Sequence, residues 1–247
     1  YQILIFGFII FSFASSFIYI INDIVDRHKD RKHPKKKYRL IASGKFSILN
    51  CIYLLILISI IFLVLLFIEK LLIFHISIYI IIALCYVFYI KQMPYLEIIL
   101  LAFLYLIRID AGSKLINVES SFLMLMATFA ISVYFILLKR IGELNLNNLN
   151  ITRHVLKFYN INLLKKICII FSIIFFMIIC IYIYLTNIIL ISILPFIYIF
   201  LYKYYTDTKN SSIGENPIQA ILNNKKFLLI ISITLLIWIF ILLFFNN

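Results

Sequence analysis

Residues 49–68 read LNCIYLLILISIIFLVLLFI, twenty consecutive residues without a charge. A run of this length matches the roughly 20 residues that an α-helix needs to cross a ~30 Å hydrocarbon layer. Its apolar residues are continuous and do not alternate, so it reads as a helix and not as a barrel strand. In lipid every backbone N–H and C=O must be satisfied internally, which leaves helices and closed barrels as the only spanning structures. The pattern recurs on both sides of this run. Eight candidate spans follow: 1–21, 49–68, 71–90, 95–113, 121–138, 163–185, 188–204 and 226–245. Composition agrees, with 65% apolar residues, 17% aromatic residues and a mean hydropathy of +1.11. A soluble domain sits near 45–50% apolar, roughly. The predicted fold class is all-α: a polytopic membrane helix bundle forming one transmembrane domain over residues 1–247. Residue 1 is Tyr and stands inside an apolar run, so the chain reads as truncated at its N-terminus.

The charges fall on one side of these spans. The first connection carries Arg27, Lys29, Arg31, Lys32, Lys35, Lys36, Lys37, Arg39 and Lys45. The third carries Lys91. The fifth carries Lys139, Arg140, Arg153, Lys157, Lys165 and Lys166, and the seventh Lys203, Lys209, Lys225 and Lys226. Only Lys70, Arg108 and Lys114 belong to the even connections and their helix ends. Basic residues near span ends stay cytoplasmic, so the odd connections are predicted to face the cytoplasm, in an inner or plasma membrane. The net charge of +13 follows from this sidedness, and it suits anionic headgroups or an anionic substrate. Nucleic-acid binding needs a basic solvated domain, and the sequence contains none. Cys51, Cys85, Cys168 and Cys180 all lie in apolar runs without a CxxC pair or a His at ligand spacing, so they read as structural thiols.

The first connection opens with Asn22-Asp23-Ile24-Val25-Asp26-Arg27-His28-Lys29-Asp30. Asp23, Asp26 and Asp30 stand at i, i+3 and i+7, which puts all three carboxylates on one helix face. Together they repel, so a cation must compensate them. Mg²⁺ suits this role, because it takes carboxylate oxygens, waters and substrate phosphates in one shell. Metal on a diphosphate also stabilises that group as it leaves. Lys36, Lys37 and Arg39 follow, then Ser43-Gly44-Lys45. Arg39 suits bidentate phosphate binding, and the lysines act as point charges. Further candidates on the same side are Tyr86 and Lys91, which close the third span, and Lys139, Arg140 and Glu143, which close the fifth. Glu143 is placed to pair with Arg140 or Lys139. Arg108 lies late in the fourth span beside Asp110, and a structural Arg–Asp pair is the expectation there. His75 and His154 show no partner pattern.

The stretch Asn22-Asp23-x-x-Asp26-x-x-x-Asp30 at the end of a span resembles the first aspartate-rich motif of the UbiA superfamily of membrane prenyltransferases. The resemblance implies a nine-helix bundle, of which this chain holds eight spans. It extends through His33-Pro34, Lys36-Lys37-Tyr38-Arg39 and Ile41-Ala42-Ser43-Gly44. Tyr86…Lys91 with Pro94, Arg108…Gly112, Lys139-Arg140-x-x-Glu143 and Gly214-Glu215-x-Pro217 leading to Trp238 continue it. These pieces are most similar to the branch that moves phosphoribose onto polyprenyl phosphate. Prenyl-diphosphate users in the superfamily carry a second aspartate-rich motif in the region of residues 139–162. That region has no aspartate here. The chain departs from the pattern at Leu40 (Pro in the family), Leu138 (a small residue) and Glu97 (Asp).

The resemblance implies a Mg²⁺-dependent enzyme with 5-phosphoribosyl 1-diphosphate as donor and a polyprenyl phosphate as acceptor, serving cell-surface glycan synthesis. Asp23, Asp26 and Asp30 would be the metal-binding and catalytic acids. Asn22, Lys36, Lys37, Arg39, Tyr86, Lys91, Lys139, Arg140 and Glu143 would bind substrate. The alternative is a UbiA-type prenyltransferase using prenyl diphosphate and an aromatic acceptor. A transporter is disfavoured, because transporters place ionisable groups at mid-membrane. A membrane scaffold would neither bind the donor nor need Mg²⁺.

Overall fold

The computed structural model describes residues 2–33, 36–146, 154–186 and 188–210, with 228, 229, 232, 233, 236 and 239 near the C-terminus. The described residues form seven α-helices, with short 3-10 turns between most of them: α1 Gln2–Arg31, α2 Ile48–Ile68, α3 Ile73–Phe88, α4 Leu96–Leu115, α5 Phe122–Leu146, α6 Ile161–Thr186 and α7 Leu194–Asn210. Five segments are long and apolar enough to cross a membrane: Ile3–Arg31, Ile48–Ile68, Lys70–Phe88, Phe122–Asn145 and Ile161–Thr186. This is a multi-pass helical membrane protein. Charge sets α4 apart, since Glu97, Arg108, Asp110 and Lys114 lie within its bounds. The expected eighth span, the Gly214–Pro217 piece, Pro34, Lys35 and Arg153 fall largely or wholly outside the described residues.

Two helices run longer than the apolar pattern predicts. The first span, expected to stop at 21, continues as one helix to Arg31. No Gly or Pro interrupts residues 22–31, and His28, Lys29 and Arg31 in its last turn complement the negative end of the helix dipole. The fifth continues from 138 to Leu146, so Lys139, Arg140 and Glu143 sit on a helix and not in a loop. Between α1 and α2 the chain makes a 3-10 turn over Lys36–Tyr38. Gly44 then takes φ +79, a conformation that glycine adopts without penalty. Ser47 caps α2, its side chain accepting from Asn50 N at 3.2 Å.

The chain forms two compact units, residues 1–125 with 150–158 and residues 126–149 with 159–247. In the first, α1 packs on α2, α3 and α4, and α3 packs on α4. Its core has two knots of side chains. Ile10, Leu72, Ile76, Ala111 and Leu115 fill one end, and Ile18, Ala83 and Val87 the other. In the second unit α6 packs on α7. The Tyr134 hydroxyl donates to the Leu201 carbonyl at 2.6 Å, and Phe135 meets Tyr204 edge-on with centroids 5.3 Å apart.

Helix packing in lipid relies on close approach at small residues. At Gly7 an added Cβ would run into Leu115 Cδ1, itself pinned in the core knot, whereas at Gly112 it meets nothing within 4 Å. Gly7→Leu is therefore expected to destabilise the protein by about 1–3 kcal/mol through overpacking. Gly112→Ala should stay within about 0.5 kcal/mol of the native protein. Thermal unfolding of the two variants in detergent measures the contrast.

Candidate active site

The C-terminal turns of α1 carry the acids, and the connections return cations to them. Arg39 Nη1 donates to Asp23 Oδ1 at 2.7 Å and to Asp30 Oδ2 at 2.9 Å. One guanidinium nitrogen thus ties two carboxylates that stand seven residues apart on one face. Asp30 is buried, at 6% exposed, and burying a carboxylate is tolerable only with such a partner. Lys91 Nζ donates to Asp26 Oδ1 at 2.7 Å and lies 3.4 Å from Asn22 Oδ1. Each of the three acids thus meets a cation, Asp23 and Asp30 sharing Arg39 and Asp26 taking Lys91 beside Asn22.

Local structure explains how those cations arrive. Arg31 Nε donates to the Ala42 carbonyl at 2.9 Å, closing the 32–42 excursion back onto the end of α1 and returning Arg39 to the acids. Lys91 sits in a 3-10 turn over Ile90–Gln92 between α3 and α4. The following Tyr95 takes φ 65, an uncommon conformation for an aromatic residue. It sets the entry of α4, whose first turn buries Glu97 completely. The Tyr86 hydroxyl lies 3.5 Å from Glu97 Oε2. Glu97 was legible only as a departure from a family pattern, and nothing in its sequence context signals complete burial.

The remaining candidates fall into two groups. Lys36 is close enough to act on the Asp23 charge. Lys37 lies over the Tyr38 ring, 5.1 Å from its centroid, and forms no ion pair with the acids. In the second unit Arg140 is buried and pairs with Glu143 at 2.7 Å, as the i+3 spacing predicts. Lys139 precedes this pair and is exposed.

Two expectations are corrected. Arg108 does not pair with Asp110, because residues two apart on a helix point to different faces. Arg108 Nη2 instead donates to Ser15 Oγ at 2.9 Å and to the Tyr79 hydroxyl at 2.6 Å. Asp110 is held by His75 Nε2 at 2.9 Å and by the Ser120 hydroxyl. His75, which shows no partner in sequence, thus has one 35 residues away.

A model of the UbiA prenyltransferase family matches residues 1–216. The chain belongs to that family. Its fold is that of a solved UbiA homologue from Archaeoglobus fulgidus bound to DMAPP and Mg²⁺, with a TM-score of 0.74 over 94% of this chain and 87% of that one. Sequence identity to that homologue is 16%, so the likeness concerns the fold alone. Among curated relatives of this UbiA-family chain is a decaprenyl-phosphate phosphoribosyltransferase of Corynebacterium glutamicum. It is 31% identical over 57% of this chain and 43% of its own length. The protein of the same name in Mycobacterium tuberculosis is 32% identical over 57% of this chain and 47% of its length. Nodulation protein NoeC of Azorhizobium caulinodans is 33% identical over 56% and 45%. The chain spans less than half the length of the curated relatives it matches.

The Lys91–Asp26 pair is the better buried of the site's ion pairs, with side chains 11% and 19% exposed. A double-mutant cycle of Lys91→Met and Asp26→Asn is expected to show coupling of about 1–2 kcal/mol. The cycle is read from unfolding midpoints in detergent. Additive effects of the two substitutions would show that the pair contributes nothing.

Proposed function

We propose that this chain transfers 5-phosphoribose from 5-phosphoribosyl 1-diphosphate to a polyprenyl phosphate at the cytoplasmic membrane face. The observation that carries this reading is the set of acids on α1 with Arg39 and Lys91 drawn onto them. It is a charge-dense cup suited to a diphosphate and its counter-ion. The phosphoribosyl donor is favoured by relatives named decaprenyl-phosphate phosphoribosyltransferase. The basic, aspartate-free 139–162 region supports it too, since this donor carries an additional phosphate on C5. In this reading the two units belong to one enzyme. Its product would be a lipid-linked pentose for surface glycans.

The donor set fits Mg²⁺. Asp23, Asp26, Asp30 and the Asn22 carboxamide offer hard oxygen ligands only. Among the described residues no three His, Cys, Asp or Glu side chains group closely enough to hold a metal ion by themselves, so Mg²⁺ would take one or two of these carboxylates and complete its shell with waters and substrate phosphates. When bound there, Mg²⁺ would neutralise charge on the departing diphosphate.

The chain's own residues position and neutralise. Arg39 uses only Nη1 on the acids, which leaves its other N–H groups for a phosphate. Lys36, Lys37 and Lys91 add positive charge on the same unit. Transfer breaks the bond between C1 and the diphosphate oxygen and forms one between C1 and an acceptor phosphate oxygen, with diphosphate leaving. The acceptor is already anionic, so no proton need be removed. Rate enhancement then comes from orientation and preorganised charge. A second reading, transfer of a prenyl group from its diphosphate, is favoured by the solved homologues bound to DMAPP and GPP.

Membranes supplied with labelled 5-phosphoribosyl 1-diphosphate and decaprenyl phosphate separate these readings. Asp23→Asn and Asp26→Asn are each expected to reduce transfer at least 100-fold, a loss of about 2.7 kcal/mol of barrier lowering. EDTA should abolish transfer and added Mg²⁺ restore it. Labelled product from geranyl diphosphate, and none from the ribose donor, would overturn the phosphoribosyl assignment.

A further inference from the structure

The acid cup is the upper end of a polar seam inside the first unit. On α1, Ser15, Asn22 and Asp26 are spaced by seven and four residues; on α3, Tyr79 and Tyr86 by seven; on α4, Glu97 and Arg108 by eleven. Each spacing returns to the same helix face. The three faces meet twice. Near the cup, Lys91 joins Asn22 and Asp26 while Tyr86 meets Glu97. Seven residues back along α1 and α3, about 10 Å deeper at ~1.5 Å per residue, Arg108 meets Ser15 and Tyr79.

This lower tier is built but not neutral. Arg108 lies over the Tyr79 ring at 5.0 Å and the Tyr105 ring at 5.9 Å. Its hydrogen-bond acceptors, Ser15 Oγ and the Tyr79 hydroxyl, stand 3.2 Å from each other. All of these partners are uncharged. The nearby carboxylate, Asp110, belongs to His75 and Ser120, and among the described residues no acid forms an ion pair with Arg108. The side chain is nevertheless exposed. A guanidinium between apolar helices is costly unless polar groups or an anion meet it, and one that keeps N–H groups in reserve suits a phosphate.

We propose that Arg108, positioned by Ser15 and Tyr79, binds the phosphate monoester of the isoprenoid acceptor below the donor. This rests on the phosphoribosyl reading above. With the diphosphate at the cup, C1 lies on its membrane side, and the attacking oxygen must stand about 3 Å from C1. A phosphate held at about 2.8 Å by a guanidinium one tier deeper fills that gap. Arg108 is thus a substrate-binding residue for the acceptor, not for the donor.

Purified protein in detergent is titrated with farnesyl phosphate and with farnesol, which lacks the phosphate. Native protein is expected to bind the phosphate at least tenfold more tightly. Arg108→Gln should erase that preference, Arg108→Lys should keep part of it, and Lys91→Met, in the upper tier, should retain it. Loss of the preference in Lys91→Met but not in Arg108→Gln would place the phosphate at the cup and overturn the proposal. Excess phosphatidylglycerol separates the two sources of such a group: displacement of farnesyl phosphate by it would make the tier a general phospholipid contact and also overturn the proposal. In turnover, Arg108→Gln should raise the KM for decaprenyl phosphate at least tenfold and leave the donor KM unchanged; equal movement of both indicates a merely structural role and counts against it. If Arg108→Gln does not fold, Tyr79→Phe, which removes one hydroxyl, is expected to raise the acceptor KM severalfold, and an unchanged KM overturns the proposal. Calorimetric titration of native protein with 5-phosphoribosyl 1-diphosphate and Mg²⁺ tests the parent reading separately, because absence of donor binding there fails that reading whatever Arg108 does.

Discussion

Three carboxylates on the last turns of one helix repel one another, and the first unit is arranged around relieving that repulsion. Arg39 arrives from the excursion after α1 and Lys91 from the turn between α3 and α4. Each cation therefore fastens a connection to the same helix end. The Arg39 pairs are partly exposed, so neither contributes much stability singly. The effect of the ion pairs is geometric: they hold two otherwise independent turns against α1. For the transfer proposed above, a site assembled before the substrate arrives avoids reorganisation during reaction, which would add to the barrier.

The sequence carried a good part of this architecture. Long uncharged runs such as 49–68 fixed the helical membrane class, and the i, i+3, i+7 spacing of Asp23, Asp26 and Asp30 put the acids on one face before any coordinates were known. The Arg140–Glu143 pair was readable for the same reason, as both partners lie on one helix. What could not be read were contacts between helices. In a soluble helix the apolar stripe reveals the inward face. In a membrane the lipid side is as apolar as the protein side, so a run like α2 gives no hint of its rotation. Ser15 with Tyr79 and Arg108, His75 with Asp110, and the burial of Glu97 all depend on that rotation. The helix ends were blurred too. Apolar content set the expected boundaries at 21 and 138, whereas backbone hydrogen bonding carries α1 and α5 on through charged residues.

The second unit contributes differently. Its buried Arg140 pairs with Glu143 on the same helix, whereas the first unit holds acids and cations that remain partly accessible. The family match over residues 1–216 reaches into both units.

The unbroken course of α1 from Gln2 to Arg31 makes it a ruler. Ser15 and the acids are graduations on a rod whose hydrogen bonds admit no slack, so their spacing and their angular phase are locked together. Evolution can retune the chemistry at either mark by swapping side chains, but it cannot slide one mark past the other in small steps. Adding or removing a single residue between them would swing the acids by about 100° and turn them away from Lys91. Only changes close to whole turns keep both marks facing the same neighbours, so in proteins built on this helix the interval between them is confined to discrete lengths.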